Sequence, residues 1–431
     1  MKKSIIASAA LCAFAMTAQA ATGDIDVIVV VDEGIAHIDH SLPTNDVHTF
    51  GLNPYNIAAQ DQGGVTALVS GAASMSRFGV QGHEDFDSGI SVFFRLEGAI
   101  NTSTGNIANN GRTILDNANS LTTISSASSI NGQFFSRAEY LGLSDGVLGS
   151  LELGRTTAFS LDQTSEFDPL HGAGLYSPIG FSGTIGGGLG ITETARLDNS
   201  IKYENKIGAW SFGIEYKIPE VNSSDAADVG SVLEGMLAYR NGPLSIELAA
   251  SEAKNTPALS YKLFVSDVGL RVSDSSGFML TGKYALSPQL TLSAGFEHTD
   301  QNSPSASNNW GTQITSYYGM TLAGLVTAKP FASTWGAAQI NVAWLGGGYK
   351  FTDAFSVDTG LYDVDNGGNA HNDQYTIQQL SIMPDYRFTK RFDVYAALML
   401  SRYHGSYLAQ YSPPTLATSN AIYGAGVRFR Y

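Results

Sequence analysis

The chain has 431 residues, one cysteine, a formal net charge of −15 and only 15% charged residues. That acidic balance argues against nucleic acid and anionic membrane surfaces as partners. Its 47 glycines and 41 Tyr and Phe, a mean hydropathy near zero and the lack of any mature stretch of ~20 apolar residues exclude a helical membrane protein; a soluble β-protein or a membrane barrel remains.

The first twenty residues read as a cleaved export leader. Lys2 and Lys3 make a basic start, Ile5 to Met16 is a short apolar stretch, and Ala18-Gln19-Ala20 is a small-x-small cleavage site. A lipoprotein is not expected, because Leu11 stands before Cys12 where a small residue is wanted. Cleavage leaves 411 residues at 21–431 with a net charge of −17 and no cysteine, hence no disulfide or thiolate metal site.

From there the chain repeats one unit: an alternating strand of about ten residues, then a connection. The short connections are 83–89, 144–146, 205–208, 240–243, 287–289, 351–353 and 388–391, each holding Gly, Pro, Asn or Asp. The long ones, rich in Asn, Ser, Thr, Gly and Asp, are 39–65, 100–131, 156–196, 219–229, 253–275, 299–336, 363–373 and 403–420. Short and long alternate, as short periplasmic turns and long outer loops do in an outer-membrane barrel. Seven turns and eight loops predict sixteen strands, with room for an additional one at Leu263–Val272.

Period-two patterning predicts which side chains face lipid. Ile90, Val92, Phe94 and Leu96 oppose Ser91, Arg95 and Glu97; Phe212, Ile214 and Tyr216 oppose Ser211, Glu215 and Lys217; Phe392, Val394, Ala396 and Leu398 form one face of a late strand. The other face is expected to line a polar lumen. The chain alternates to its last residue. Tyr423, Ala425, Val427, Phe429 and Tyr431 line one face, and Gly424, Gly426, Arg428 and Arg430 the other, as a closing strand requires.

Several stretches resemble the general porins of betaproteobacterial type. They are Ser76–Asp85, Phe93–Glu97, Arg137–Ser144 followed by Gly149–Arg155, Arg196–Tyr203 and Lys390–Ala396. The resemblance departs at the end, where the family's terminal Phe is Tyr431; Phe429 and Tyr431 would still supply the aromatic signal read by the assembly machinery. The resemblance implies an all-β fold, a 16-stranded antiparallel transmembrane β-barrel with an infolded third loop. It implies a homotrimer in the outer membrane, in contact with lipid and lipopolysaccharide. The function implied is passive diffusion of small hydrophilic solutes and ions, with no enzyme activity and no cofactor. A substrate-selective channel of the same build is the alternative.

By that correspondence the loop 156–196 narrows the pore. Arg77, Arg95, Arg137 and Arg196 are the expected constriction wall, and Asp162, Glu166 and Asp168, with Glu193, the expected acids on the loop. Alternation places Arg77 opposite Phe78 and Val80, and Arg137 opposite a lipid-facing Tyr140. Arg155 shares the face of Leu151 and Leu153, so alternation alone directs it to lipid, although its place at a strand end allows it to turn inward. An arginine facing lipid at mid-bilayer costs ~2–4 kcal/mol, which favours lumenal placement for all of them. The sign of selectivity stays open, because wall arginines attract anions and acidic loop mouths attract cations, and screening over ~8 Å lets the nearest ring decide.

Other constellations are weaker. Asp363 and Asp365 begin a calcium-loop-like run that lacks a Glu at its twelfth position. His37 and His40 lack further metal ligands, His83-Glu84-Asp85 lacks a nucleophile, and Gly186–Gly190 lacks the Lys and helix of a phosphate loop.

Overall fold

The computed structural model describes residues 22–39, 64–86, 89–103, 105, 134–177, 196–218, 231–261, 268–302, 338–367, 374–405 and 418–431. The expected leader, His40, Gly186–Gly190 and Glu193 lie outside the described residues.

One antiparallel sheet contains every described strand. It opens with β1 (Thr22–Ile38), then β2 in two parts, β2a (Val65–Ser70) and β2b (Arg77–Asp85), then β3 (Ile90–Ala99), β4 (Ala138–Asp145) and β5 (Gly149–Thr157). A helix, α1 (Phe159–Phe167), precedes β6 (Arg196–Ile207), β7 (Trp210–Lys217), β8 (Ser231–Asn241) and β9 (Leu244–Tyr261). The circuit continues with β10 (Val268–Ala285), β11 (Leu290–Asn302), β12 (Ala338–Lys350), β13 (Phe355–Asn366), β14 (Tyr375–Arg387), β15 (Phe392–Gly405) and β16 (Ser419–Arg430).

The sheet closes on itself. One edge of β1 pairs with β16, from Val30 opposite Arg430 to Ile38 opposite Ile422. Its other edge pairs with β2b from Thr22 opposite Asp85, and then with β2a up to Ile38 opposite Val65. Both parts of β2 run the same way along β1, so they are one barrel strand with an interruption at 71–76. The described barrel therefore has sixteen strands.

A buried carboxylate holds the interruption. Gly71 takes the left-handed φ of +76° that starts the excursion. Asp32 of β1 accepts the N–H of Ala73 at 3.1 Å and of Ser74 at 2.5 Å, and the hydroxyl of Tyr395 on β15, two strands along the sheet, at 2.6 Å. Ala72 and Ala73 are thereby pushed inward and buried.

The seven short turns stand where the sequence predicts them. The loop expected at 253–275 does not. There β9 and β10 pair far beyond the membrane band, from Leu244 opposite Tyr284 to Tyr261 opposite Val268, with one register irregularity between Ala253 and Thr256. Only 262–267 separates them, and the additional strand considered at Leu263–Val272 is, from Val268 on, the start of β10. Continued backbone pairing satisfies the ladder there, from Thr256 opposite Ser273 to Tyr261 opposite Val268.

Outward residues form an apolar belt that includes Leu248, Phe278, Leu280, Phe296, Leu345, Leu361 and Leu400, all exposed. At the short-turn end it meets an aromatic band, where Tyr349, Phe351 and Phe355, and Tyr386, Phe388 and Phe392, stack in series. Phe429 and Tyr431 are exposed on the same outer face. Tyr431 and Val29 exchange backbone bonds of 2.8 and 3.2 Å, and the Arg391 guanidinium stands 4.2 Å from the Tyr431 ring.

The expectation of a polar lumen needs correction for about a third of the circumference, five of the sixteen described strands. On β12–β16 the inward residues Ile340, Val342, Trp344, Val364, Ile377, Met399 and Ile422 are buried and apolar. They pack against Leu170, Ala173, Leu175 and Tyr176 of the segment after α1, so they meet protein rather than water.

Asp32→Ala leaves two buried amides and a tyrosine hydroxyl without their acceptor, and should lower unfolding stability by about 3 kcal/mol. Urea unfolding in detergent micelles, with Asp32→Asn retaining part of the loss, checks this.

Candidate functional site

The chain leaves β5 and packs α1 on the inner side of β8–β11. The helix has no cap of its own, because its N-cap residue is Ala158. Glu234 of β8 supplies one: its carboxylate accepts the N–H of Phe159 at 2.8 Å and of Ser160 at 2.9 Å. A carboxylate there also complements the positive end of the helix dipole. In mid-helix the Gln163 amide donates to the Glu247 carbonyl and the Thr281 hydroxyl, both at 2.8 Å. At the other end the Trp344 indole N–H donates to the Phe167 carbonyl at 3.2 Å.

Asp168 ends this span as a buried anchor. It accepts the Tyr362 hydroxyl and the Gly172 N–H, each at 2.7 Å. Burial pushes its carboxyl above the usual carboxylate range, and those two bonds pull against the rise. Farther on, the Leu175 N–H donates to the Ala72 carbonyl at 2.9 Å, so the β2 interruption clasps the returning segment.

The two other expected loop acids meet wall cations. Asp162 pairs with Lys202 of β6 at 2.9 Å. Lys202 also donates to the Thr157 carbonyl at 2.8 Å and stands 4.4 Å from the Phe159 ring centroid. Glu166 pairs with Arg240 of β8 at 2.8 Å and with Lys283 of β10 at 3.6 Å, and Arg240 reaches Glu247 at 2.6 Å as well.

The expected wall arginines gather elsewhere on the circumference. Arg77, Arg95 and Arg137 converge on one carboxylate, Glu97 of β3, which is 2% exposed. Arg77 stands at 3.5 Å, the Arg95 Nε at 2.9 Å, and the Arg137 Nε closes the group. Next to them Arg155 donates to the Ser136 carbonyl at 2.8 Å and pairs with Asp198. Arg196 is buried at the start of β6, where Arg137 and Arg155 oppose its charge, and its Nε has no hydrogen-bond partner among the described residues. Five arginines thus stand on one stretch of wall, four of them paired with Glu97 or Asp198.

Two of these placements break strict alternation. Tyr140 points inward, with its ring 6.1 Å from Phe93, and Leu141 takes the exposed outer face. Arg137 reaches Glu97 because it stands just before β4, where its N–H bonds the Glu97 carbonyl at 2.9 Å and the chain is not yet in strand register. Arg155 turns inward because the β5–β6 pairing shifts between Gly154 and Thr156; Gly154 has φ +139° and Asn199 opposite has φ +53°. That bulge puts Arg155 and Thr156 on the same side.

Sequence reasoning passed over Glu97, Lys202, Glu234, Arg240, Glu247 and Lys283 as site residues. Parity could have found Lys202, which shares a face with Arg196. It could not have found Glu234, whose role depends on which wall the helix meets. Asp363 and Asp365, read as a calcium-loop start, are exposed residues of β13, with Asp363 accepting from the Gln378 amide at 3.2 Å. Among the described residues no three His, Cys, Asp or Glu gather to hold a metal.

The chain was compared with known proteins. A family profile described as Gram-negative porin matches residues 7–406. An outer membrane porin protein of Bordetella pertussis is 28% identical over 260 residues, 58% of this chain and 59% of that protein; the match spans about three fifths of that relative's length. An anion-selective porin from Comamonas acidovorans shares the fold with a TM-score of 0.66 at 19% identity, over 95% of this chain and 100% of that one. The in-vitro folded OmpT of Vibrio cholerae, in its trimer form, gives 0.59 at 15% identity over 95% and 100%.

Glu234→Ala should free the first turn of α1 at a cost of about 1 kcal/mol. Hydrogen exchange at Phe159 and Ser160 is then expected to quicken about fivefold, while amides of β8 keep their protection.

Proposed function

Because the chain belongs to the Gram-negative porin family, we propose that it forms a passive, water-filled outer-membrane channel with a preference for small anions at its narrowest point. The observation that carries this reading is the arginine group around Glu97. Arg77, Arg95 and Arg137 pair with Glu97 and Arg155 pairs with Asp198, while Arg196 beside them has no ion pair among the described residues. Five arginines therefore outnumber their paired acids, even with Asp162 and Glu152 acting on this wall from a distance. The acids of α1 lie across from other cations and are matched by Lys202, Arg240 and Lys283. Uncompensated charge at the narrowest ring sets ion preference, because more distant loop charges are screened over ~8 Å.

In this reading α1 narrows the lumen and Asp162 and Glu166 face the passage. Asp168 acts as an anchor rather than a field-setting charge. The leader at 1–20 is removed on export, Phe429 and Tyr431 guide the assembly machinery, and three copies associate, as the trimer form of the Vibrio protein does. No step of the proposed transport needs a cofactor or an enzymatic reaction.

Planar-bilayer recording in a potassium chloride gradient tests the proposal, with a chloride-directed reversal potential expected. A potassium-directed potential would overturn the anion preference. At ~8 Å in water each unit charge is worth about 0.5 kcal/mol, cut to about 0.2 kcal/mol by one Debye length of screening, and acts with opposite sign on the two ions. Arg95→Gln with Arg137→Gln should therefore lower the chloride-to-potassium permeability ratio about fourfold. The same pair strips buried Glu97 of two of its three partners and should cost about 3 kcal/mol of stability. Adding Glu97→Gln should recover most of that loss, which separates the field effect from the folding effect.

A further inference from the structure

Among the described residues, the outward face of β15 carries a cation, Arg402, that alternation and pairing leave alone. On β15 the outward residues are Phe392, Val394, Ala396, Leu398, Leu400, Arg402 and His404, while Tyr395, Ala397, Met399, Ser401 and Tyr403 between them are buried. Arg402 is exposed on that outward face and has no ion pair or hydrogen bond among the described residues.

Its depth can be placed. Phe392 belongs to the aromatic band at the short-turn end. Arg402 stands about ten residues farther on, roughly 33 Å along the strand. At the ~40° tilt of such strands this is ~25 Å along the membrane normal, the height of the apolar belt. Arg402 therefore lies where the hydrocarbon ends on the long-loop side. An arginine costs little there, provided that a headgroup meets it.

Below Arg402 is a cleft of ≈ 580 Å³ on β12–β15. Ala343, Leu345, Leu361, Leu380 and Leu400 give it an apolar floor, and Asp363, Gln378 and Arg402 close its upper end. Gln378 is the cross-strand partner of both Asp363 and Arg402, and its amide donates to Asp363 at 3.2 Å. The amide thus occupies the carboxylate and leaves the guanidinium open. His404 and Ser419 are the nearest outward residues along and across from Arg402. An apolar slot below an unpaired guanidinium at the interface fits an acyl chain whose headgroup carries phosphate.

We propose that the cleft on β12–β15 is a lipid site, with Arg402 holding a phosphate of lipopolysaccharide's lipid A and the leucines receiving one of its acyl chains. Lipid A is the committed occupant because the site faces the leaflet on the long-loop side. It also carries phosphate close to its acyl chains, as the short distance between Arg402 and Leu400 requires.

The test uses the full-length protein, delipidated in detergent, and counts bound lipid per chain by native mass spectrometry. The probes are hexa-acyl diphosphoryl lipid A and dimyristoyl phosphatidylglycerol. Lipid A should bind at least about tenfold more tightly than phosphatidylglycerol; Arg402→Gln should remove that advantage and Arg402→Lys should keep most of it. Bilayer conductance and reversal potential should be unchanged in both variants, because Arg402 is outside the lumen. That readout keeps failure of the lipid site distinct from failure of the channel reading. Equal lipid A binding by wild type and Arg402→Gln would overturn the proposal. So would phosphatidylglycerol binding as tightly, or Arg402→Gln dissociating the oligomer, which would make this face a contact between copies.

Discussion

Backbone amides in hydrocarbon have no water to bond, so a sheet that crosses a membrane must have no free edge. Here that condition is met where β16 meets β1, between Val30–Ile38 and Ile422–Arg430. Everything else depends on that closure. It makes each strand present one face to lipid and one to the interior, and it fixes which residues can share the interior. It also explains why the last strand stays paired to Tyr431, whose backbone exchanges bonds with Val29.

Closure leaves a space to be filled, and the chain fills it unevenly. The segment 158–177 lays α1 against β8–β11 and its return against an apolar inner wall on β12–β16, while the arginine group stands on β2b–β6. Its hold is distributed: a carboxylate caps the helix start, an amide and an indole bind its middle and end, and Asp168 and the Ala72 carbonyl fasten the return. Most of these partners come from strands far away in sequence, so the seat of the segment is complete only in the closed barrel. Inside, the buried charge of Glu97 is tolerated because it meets three guanidinium groups.

The strand count, the turn positions and the outward face were legible because period two and turn chemistry are local. The 253–275 segment was misread because Asn255, Pro257 and the run Ser273–Ser276 are turn-forming residue types that a paired ladder nonetheless holds. Parity failed at Arg137 and Arg155 for a related reason. One residue lies before its strand begins and the other at a bulge, and alternation holds only within an unbroken ladder. The apolar inner wall was hidden too, since Ile340 and Val342 look the same in sequence whether water or protein covers them.

The sequence by itself determined that this is an all-β chain of alternating strands and unequal loops, ending in an aromatic strand. Those properties follow from residue spacing and need no distant partner. Only the tertiary structure decided that Arg77, Arg95 and Arg137 share Glu97, that Asp162 and Glu166 meet Lys202 and Arg240 instead, and that Asp168 is an anchor. The physical reason is that charge pairing is set by which walls face each other across a closed barrel. Strand spacing says nothing about that until the last strand has found the first.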